Sequence, residues 1–302
     1  MSAARARSGW LDVAEVGSLW GIRFVVGLCQ LFGRDSARLF LRLVVLYYAL
    51  FNVRARRSSQ AYLRRALGHA TFGMAYRHLC TFAEVALDRL LFASGKFGMF
   101  EVTSNGNEHL ARARSSGSGA ILLGAHLGSF EAMRAGADSE SLPINMVVNF
   151  KNAQRMQAVV DQLDPQLRTR FISVGNGGLD FVLSIRECIE RGEMVAILAD
   201  RVGPDARATE ADFMGDKAQF ASGPFILAAA LGCPVYLTFG LYRGDNRYDL
   251  YCEPFMDCIE LPRKNRQRAL TEVVGRFAQR LEHYARIAPY NWFNFYDFWS
   301  AP

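Results

Sequence analysis

From Gly95 onward the chain alternates short apolar runs bounded by glycine with longer stretches of helical period, and few architectures accept that order. Strand and helix repeats of this kind build a sheet of mainly parallel strands with helices laid against it. The apolar runs place strands at 120–125, 144–149, 171–174, 194–199, 235–241 and 248–252. The stretches around them place helices at 130–136, 153–162, 178–190, 223–231 and 264–288. Upstream, 54–100 reads as helical, with Leu79, Phe82, Ala83, Ala86, Leu87, Leu90 and Leu91 recurring at three- and four-residue spacing. The expected fold class is therefore α/β, a mixed, largely parallel sheet flanked by helices.

The net charge of +6 is unevenly distributed. Residues 1–65 hold eleven Arg and no Lys against Asp12, Glu15 and Asp35, a local charge of +8 that leaves the remainder at −2. Apolar runs at 19–32 and 39–53 interleave with those arginines, which points to an anionic membrane surface as the partner and away from nucleic acid. Each run falls short of the roughly 20 residues of a spanning helix. We expect membrane-associating helices lying in the interface, with Arg23 and Arg42 snorkelling. One tilted span within 38–51 and ordinary buried helices are the other readings of the same runs. The expected division is 1–60 as basic, apolar N-terminal helices and 61–302 as the α/β domain. Acidic residues at positions 12 and 15 interrupt what would be the core of a signal peptide. The six cysteines form no CxxC pair and read as separate buried thiols in a reducing compartment.

One segment carries chemistry. In Gly124-Ala-His126-Leu-Gly-Ser-Phe-Glu131 a buried strand ends at a histidine, and a carboxylate follows five positions later. On one continuous helix that offset turns the two side chains about 140° apart. They meet only if His126 precedes the helix, with Gly128 in the turn, Ser129 as N-cap and Glu131 in the first turn reaching back to the imidazole. A histidine with one nitrogen held by a carboxylate and the other free is the arrangement of a general base. From position alone, a structural histidine beside a carboxylate at a helix start accounts for the segment equally well.

Other features are weaker. Arg263, Lys264, Arg266 and Arg268 fit either the acidic surface of a carrier protein and a phosphorylated head group, or a solvated helix face. The aromatic tail from Tyr290 to Trp299 fits core packing or interface anchoring. Gly175-Asn-Gly-Gly178 lacks the spacing of a dinucleotide loop, and there is no GxSxG elbow of an α/β-hydrolase. His69, His78, His109 and His283 stand alone in the sequence, as structural or solvent-facing residues.

The segment GAHLGSFE resembles the H-x4-D/E motif of the glycerolipid and lysophospholipid acyltransferase superfamily. The wider pattern resembles its late lipid A (lauroyl/myristoyl) acyltransferase branch. Four stretches support that branch: VVNFKN (147–152), RGEMVAILADR (191–201), DFMG (212–215) and ASGPFILAAALGCPV (221–235). Lys151 stands where the family usually has Arg, Asp200-Arg201 where it has an Asp-x-Asp-like pair, and the FPEG signature is absent. The ending PYNWFNFYDFW resembles relatives from glycolipid and aryl polyene pathways.

The resemblance implies transfer of a fatty or aryl polyene-type acyl group from an acyl carrier protein or coenzyme A thioester to a hydroxyl of a lipid or glycolipid. It implies catalysis by His126 and Glu131, and substrate binding by Asn149, Lys151, Arg170, Asp200, Arg201 and Gly215. Arg170, Lys151 and backbone amides near Gly128 are the oxyanion donors to consider. No cofactor and no metal enters that chemistry. The site of action implied is the cytoplasmic face of the bacterial inner membrane, with a peripheral, monotopic or single-pass chain. A catalytically silent lipid-binding scaffold and a lipid hydrolase are the alternatives.

Overall fold

The computed structural model describes residues 19–93, 95–115, 117–133, 143–148, 170–173, 178–203 and 206–300. The expected residues Asn149 and Lys151, the helix at 153–162 and the glycine-rich turn at 175–177 lie outside them.

Seven strands form the main sheet, in the order β1-β9-β8-β2-β5-β3-β4. They are β1 (Glu101–Asn105), β2 (Ala120–Gly124), β3 (Ile144–Val148), β4 (Arg170–Ser173), β5 (Met194–Leu198), β8 (Val235–Gly244) and β9 (Arg247–Met256). From β8 through β2, β5 and β3 to β4 every pairing is parallel. β9 runs antiparallel to β8, and β1 pairs parallel with β9, so the sheet is mixed. β2 is buried at all five positions, as a strand covered on both faces must be. β9 instead alternates between buried and partly exposed positions.

Three strands, β1, β6 (Ala208–Phe213) and β7 (Asp216–Ala221), and the helix at Asn107–Ser115 are absent from the expected elements. β1 is exposed along its whole length, and Glu-Val-Thr-Ser-Asn has no apolar run to announce it. β6 and β7 form a separate antiparallel hairpin. Its two-residue turn puts Met214 at φ 57° and Gly215 at φ 90°, the left-handed pair that a primed hairpin turn demands. Gly215 is thus an exposed turn residue. Phe213 and Phe220 from the hairpin are buried edge to face, with ring centroids 5.5 Å apart.

Helices cover the sheet: α1 (Leu19–Phe51), α2 (Val53–Leu67), α3 (Phe72–Ala93), α4 (Asn107–Ser115), α5 (Leu179–Glu190), α6 (Gly223–Leu231) and α7 (Arg266–Ile287). α1 breaks at Gly33, whose φ of 82° and ψ of 170° are not helical. Just past the break, Arg34 grips Asp88 of α3 in a two-pronged bond, Nε to Oδ1 at 2.7 Å and Nη2 to Oδ2 at 2.6 Å. The Tyr248 hydroxyl of β9 donates to the same carboxylate at 2.7 Å. Arg38 meets Glu84 at 3.1 Å, and the Tyr242 hydroxyl donates to Glu84 at 2.9 Å. Two of the basic N-terminal residues therefore clamp α1 to α3 and the sheet rather than meeting an outside surface. An arginine removed there would strand a buried carboxylate, which is strongly destabilising.

Among the described residues no single helix is long and apolar enough to cross a membrane. Leu31–Phe51 and Val53–Leu67 meet that length and composition only together, bent by 94° at Asn52. The bend is capped: the Asn52 side chain accepts from the Ala55 amide at 2.9 Å.

Candidate active site

His126 lies two residues beyond the end of β2, at the C-terminal edge of the parallel strands where α/β sheets place their ligands. β2 and β5 pair in register with Gly124 opposite Leu198. The positions two beyond each strand end therefore face each other, and they are His126 and Asp200. The imidazole Nδ1 is 2.8 Å from Asp200 Oδ1. Asp200 is fully buried, while 27% of the His126 side chain is exposed. Among the described residues none lies within hydrogen-bond distance of Nε2, so this nitrogen is open to a substrate proton.

This corrects the expected pairing. Glu131 does not hold the imidazole; its Oε2 forms an ion pair with Nε of Arg89, on α3, at 2.8 Å. The local geometry is otherwise as expected. Ser129 accepts from the Ala132 amide at 3.1 Å and caps the helical turn that begins at Phe130. Glu131 sits in that first turn but faces α3. The offset of five residues put the carboxylate near the histidine without deciding which neighbour it would meet.

Asp200 and Arg201, expected as substrate contacts, are engaged by the protein itself. Asp200 Oδ2 accepts from the His126 main-chain amide at 3.1 Å, from Trp292 Nε1 at 3.2 Å and from Asn294 Nδ2 at 3.1 Å. Arg201 donates from Nε to Asn294 Oδ1 at 2.6 Å and from Nη2 to the Phe293 carbonyl at 2.7 Å. Arg170 opens the outermost strand, β4. Its backbone is level with Asn145, Val195 and hence Ile121, at the end of the strands opposite His126. The structure does not bring it to the site.

The segment Asn291–Asn294 binds the His126 loop as an added strand would. Leu127 bridges Trp292, the Gly128 amide donates to the Asn291 carbonyl at 2.8 Å, and the Phe293 amide donates to the His126 carbonyl at 2.8 Å. Gly128 has φ 74° and lies against Gly240 of β8, whose carbonyl oxygen would be 1.9 Å from any Cβ placed there. Only glycine fits that approach. Trp292, Asn294 and Arg89 were invisible as site residues in the sequence. The tail looked like core aromatics, and nothing in Leu-Asp-Arg-Leu-Leu marks its arginine.

Burial, and then the positive charge of Arg201, hold the His126 imidazole below its ordinary pKa, with Asp200 opposing them. The neutral, proton-accepting form therefore dominates near pH 7. Burial alone would raise the Asp200 carboxyl, but the His126 charge and hydrogen bonds together with Arg201 outweigh it and keep Asp200 ionised. Ser129 is fully buried and committed as a cap, so it offers no hydroxyl for an acyl-enzyme.

The site so built is a neutral imidazole with one nitrogen on a buried carboxylate, at the C-terminal edge of the parallel strands of an α/β sheet. The chain belongs to the bacterial lipid A biosynthesis acyltransferase family, which matches residues 19–300. It is an acyltransferase acting on a lipid acceptor. No curated protein matches it at the level that marks a relative.

Proposed function

We propose that this protein moves a fatty acyl group from an acyl carrier protein or coenzyme A thioester to a hydroxyl of a lipid or glycolipid, with His126 as general base oriented by Asp200. The observation that carries the mechanism is the 2.8 Å bond between His126 Nδ1 and Asp200 Oδ1, with Nε2 left open. His126 Nε2 takes the hydroxyl proton as the oxygen attacks the thioester carbonyl. A C–O bond forms and a tetrahedral oxyanion results. Its collapse breaks the C–S bond, and the imidazolium returns the proton to the leaving thiolate. Asp200 fixes the tautomer and stabilises the imidazolium in between. No covalent acyl-enzyme is needed, in keeping with the buried Ser129.

The acceptor is met at a membrane surface, in a peripheral arrangement at the cytoplasmic face of the inner membrane. Leu39, Leu43, Leu46, Tyr47, Leu50 and Phe51 stand exposed along the second half of α1. Arg42, Arg54 and Arg57 are exposed beside them, a pairing of apolar face and cations that suits an anionic interface. Arg263, Lys264, Arg266 and Arg268, exposed at the start of α7, are the surface offered to an acidic carrier.

The purified full chain, given a dodecanoyl thioester and bacterial membrane lipid, should release thiol and form an acylated lipid seen by mass spectrometry. His126→Ala and Asp200→Asn should abolish both. Thiol release without acylated lipid would identify a hydrolase, and persistence of transfer in His126→Ala would end the proposal.

A further inference from the structure

An oxyanion forms in the proposed reaction; of the groups expected to receive it, Lys151 lies outside the described residues and several others are engaged elsewhere. The His126 amide donates to Asp200, the Gly128 amide to the Asn291 carbonyl, and the Ser129 amide to the Gly240 carbonyl at 2.7 Å. The Ala132 amide is held by the cap. Arg201 is turned toward Phe293 and Asn294. The Arg170 backbone lies at the far end of the strands.

Arg89 is placed differently. It projects from α3 onto the start of the helical turn after His126, where its Nε meets Glu131, and 39% of its side chain remains exposed. The carboxylate partner is 10% exposed, so the ion pair is anchored on its Glu131 side. The contact at Nε is an ion pair without hydrogen-bond geometry, and a guanidinium held by charge alone keeps its terminal N–H donors for an incoming oxygen. Its charge reaches the imidazole, where it disfavours the imidazolium.

We propose that Arg89, held by Glu131, is a catalytic residue that donates to the oxyanion formed on the thioester carbonyl. The inference rests on the acyl-transfer reading of the site. The acidic residue of the HxxxxE segment then acts through an arginine, as a positioning residue, while Asp200 orients the histidine. Charge appears on the carbonyl oxygen as the C–O bond forms, Arg89 stabilises it there, and it returns to the carbonyl as the C–S bond breaks.

The test uses the full chain with dodecanoyl acyl carrier protein as donor and extracted membrane lipid as acceptor, between about pH 5 and 8. His126→Ala and Asp200→Asn judge the parent reading: if either retains transfer, that reading fails independently of Arg89. With those variants inactive, Arg89→Gln should lower kcat about 10²- to 10³-fold, the cost of losing an oxyanion donor, and leave KM within about threefold. Because the Arg89 charge lowers the histidine pKa, its removal should move the acid limb of the pH profile upward. Glu131→Gln should lower kcat in the same direction, and the double variant should be no worse than Arg89→Gln alone. Wild-type kcat in Arg89→Gln, a loss confined to KM, or an unmoved acid limb would each overturn the proposal. If thermal melting shows Arg89→Gln unfolded, Arg89→Lys decides. It should lose kcat about tenfold at unchanged KM, since lysine lacks the fork, and wild-type kcat in that variant overturns the proposal.

Discussion

His126 Nδ1 and Asp200 Oδ1 lie 2.8 Å apart although 74 positions separate them in the chain. Parallel pairing of β2 with β5 makes them neighbours, and four hydrogen bonds onto the Asp200 carboxylate keep it there.

Asp200→Asn should reduce kcat about 10³-fold or more, because an amide no longer fixes the tautomer or stabilises the imidazolium. Asp200 raises the His126 pKa against burial and Arg201, so the residual activity should show an acid limb at lower pH than the parent. In the parent, that limb should lie below the ordinary histidine value of about 6.5. A pH–rate series on both proteins checks the two shifts, and an unchanged limb in Asp200→Asn would refute the pairing.

Gly128→Ala puts a methyl group 1.9 Å from the Gly240 carbonyl at a φ of 74°. We expect a loss of stability of about 3 kcal/mol or more, from backbone strain and forced separation of the His126 loop from β8. Urea titration measures it. Gly240→Ala, whose Cβ would stand 2.3 Å from the Ser129 carbonyl, should behave alike.

Trp292→Phe keeps an aromatic ring in a fully buried position but deletes the Nε1 donor to Asp200. A lost bond to a buried charged acceptor costs about 1.5–3 kcal/mol. The variant should fold, melt lower, and lose about tenfold in kcat as Asp200 loosens. An unaltered kcat would show that the remaining donors suffice.

His78 is fully buried between the Ser59 hydroxyl and the Trp292 carbonyl, each at 2.9 Å, and burial pushes its pKa down to about 3. The unfolded chain binds a proton near pH 6.5 that the folded chain refuses, so stability is full above that value and falls with pH toward 3. At about 1.4 kcal/mol per pH unit, the loss between pH 6.5 and 5 should be about 2 kcal/mol from this group. Denaturation curves at the two pH values test it, and His78→Gln should flatten the dependence.

Leu43→Glu with Leu50→Glu places charge on the exposed face of α1. Each leucine buried in an interface is worth about 1.5–3 kcal/mol, so flotation with phosphatidylglycerol vesicles should fall at least about tenfold. Equal flotation would remove α1 as the membrane contact.

Much of the fold was legible because periodicity is local. β2, β3 and β5 begin where the apolar runs begin, and α6 was read at its full length, since buried strands and helix starts depend on residues within a few positions. β1 was not, because a polar strand at the sheet edge is made by its neighbour β9 rather than by its own side chains. The β6–β7 hairpin was not, because its inward residues alternate aromatics with alanine and threonine, too weak a pattern beside the long apolar runs.

The sequence by itself determined that a histidine ends a buried strand, that Gly128 and Ser129 turn the chain there, and that a basic, apolar segment precedes the sheet. It could not determine which carboxylate reaches which nitrogen. Strand order and register set that choice, and they follow from burial over the whole sheet rather than from spacing along one segment. Only the tertiary structure therefore gave Asp200 to His126, Glu131 to Arg89, and the tail at Trp292 and Asn294 to the site.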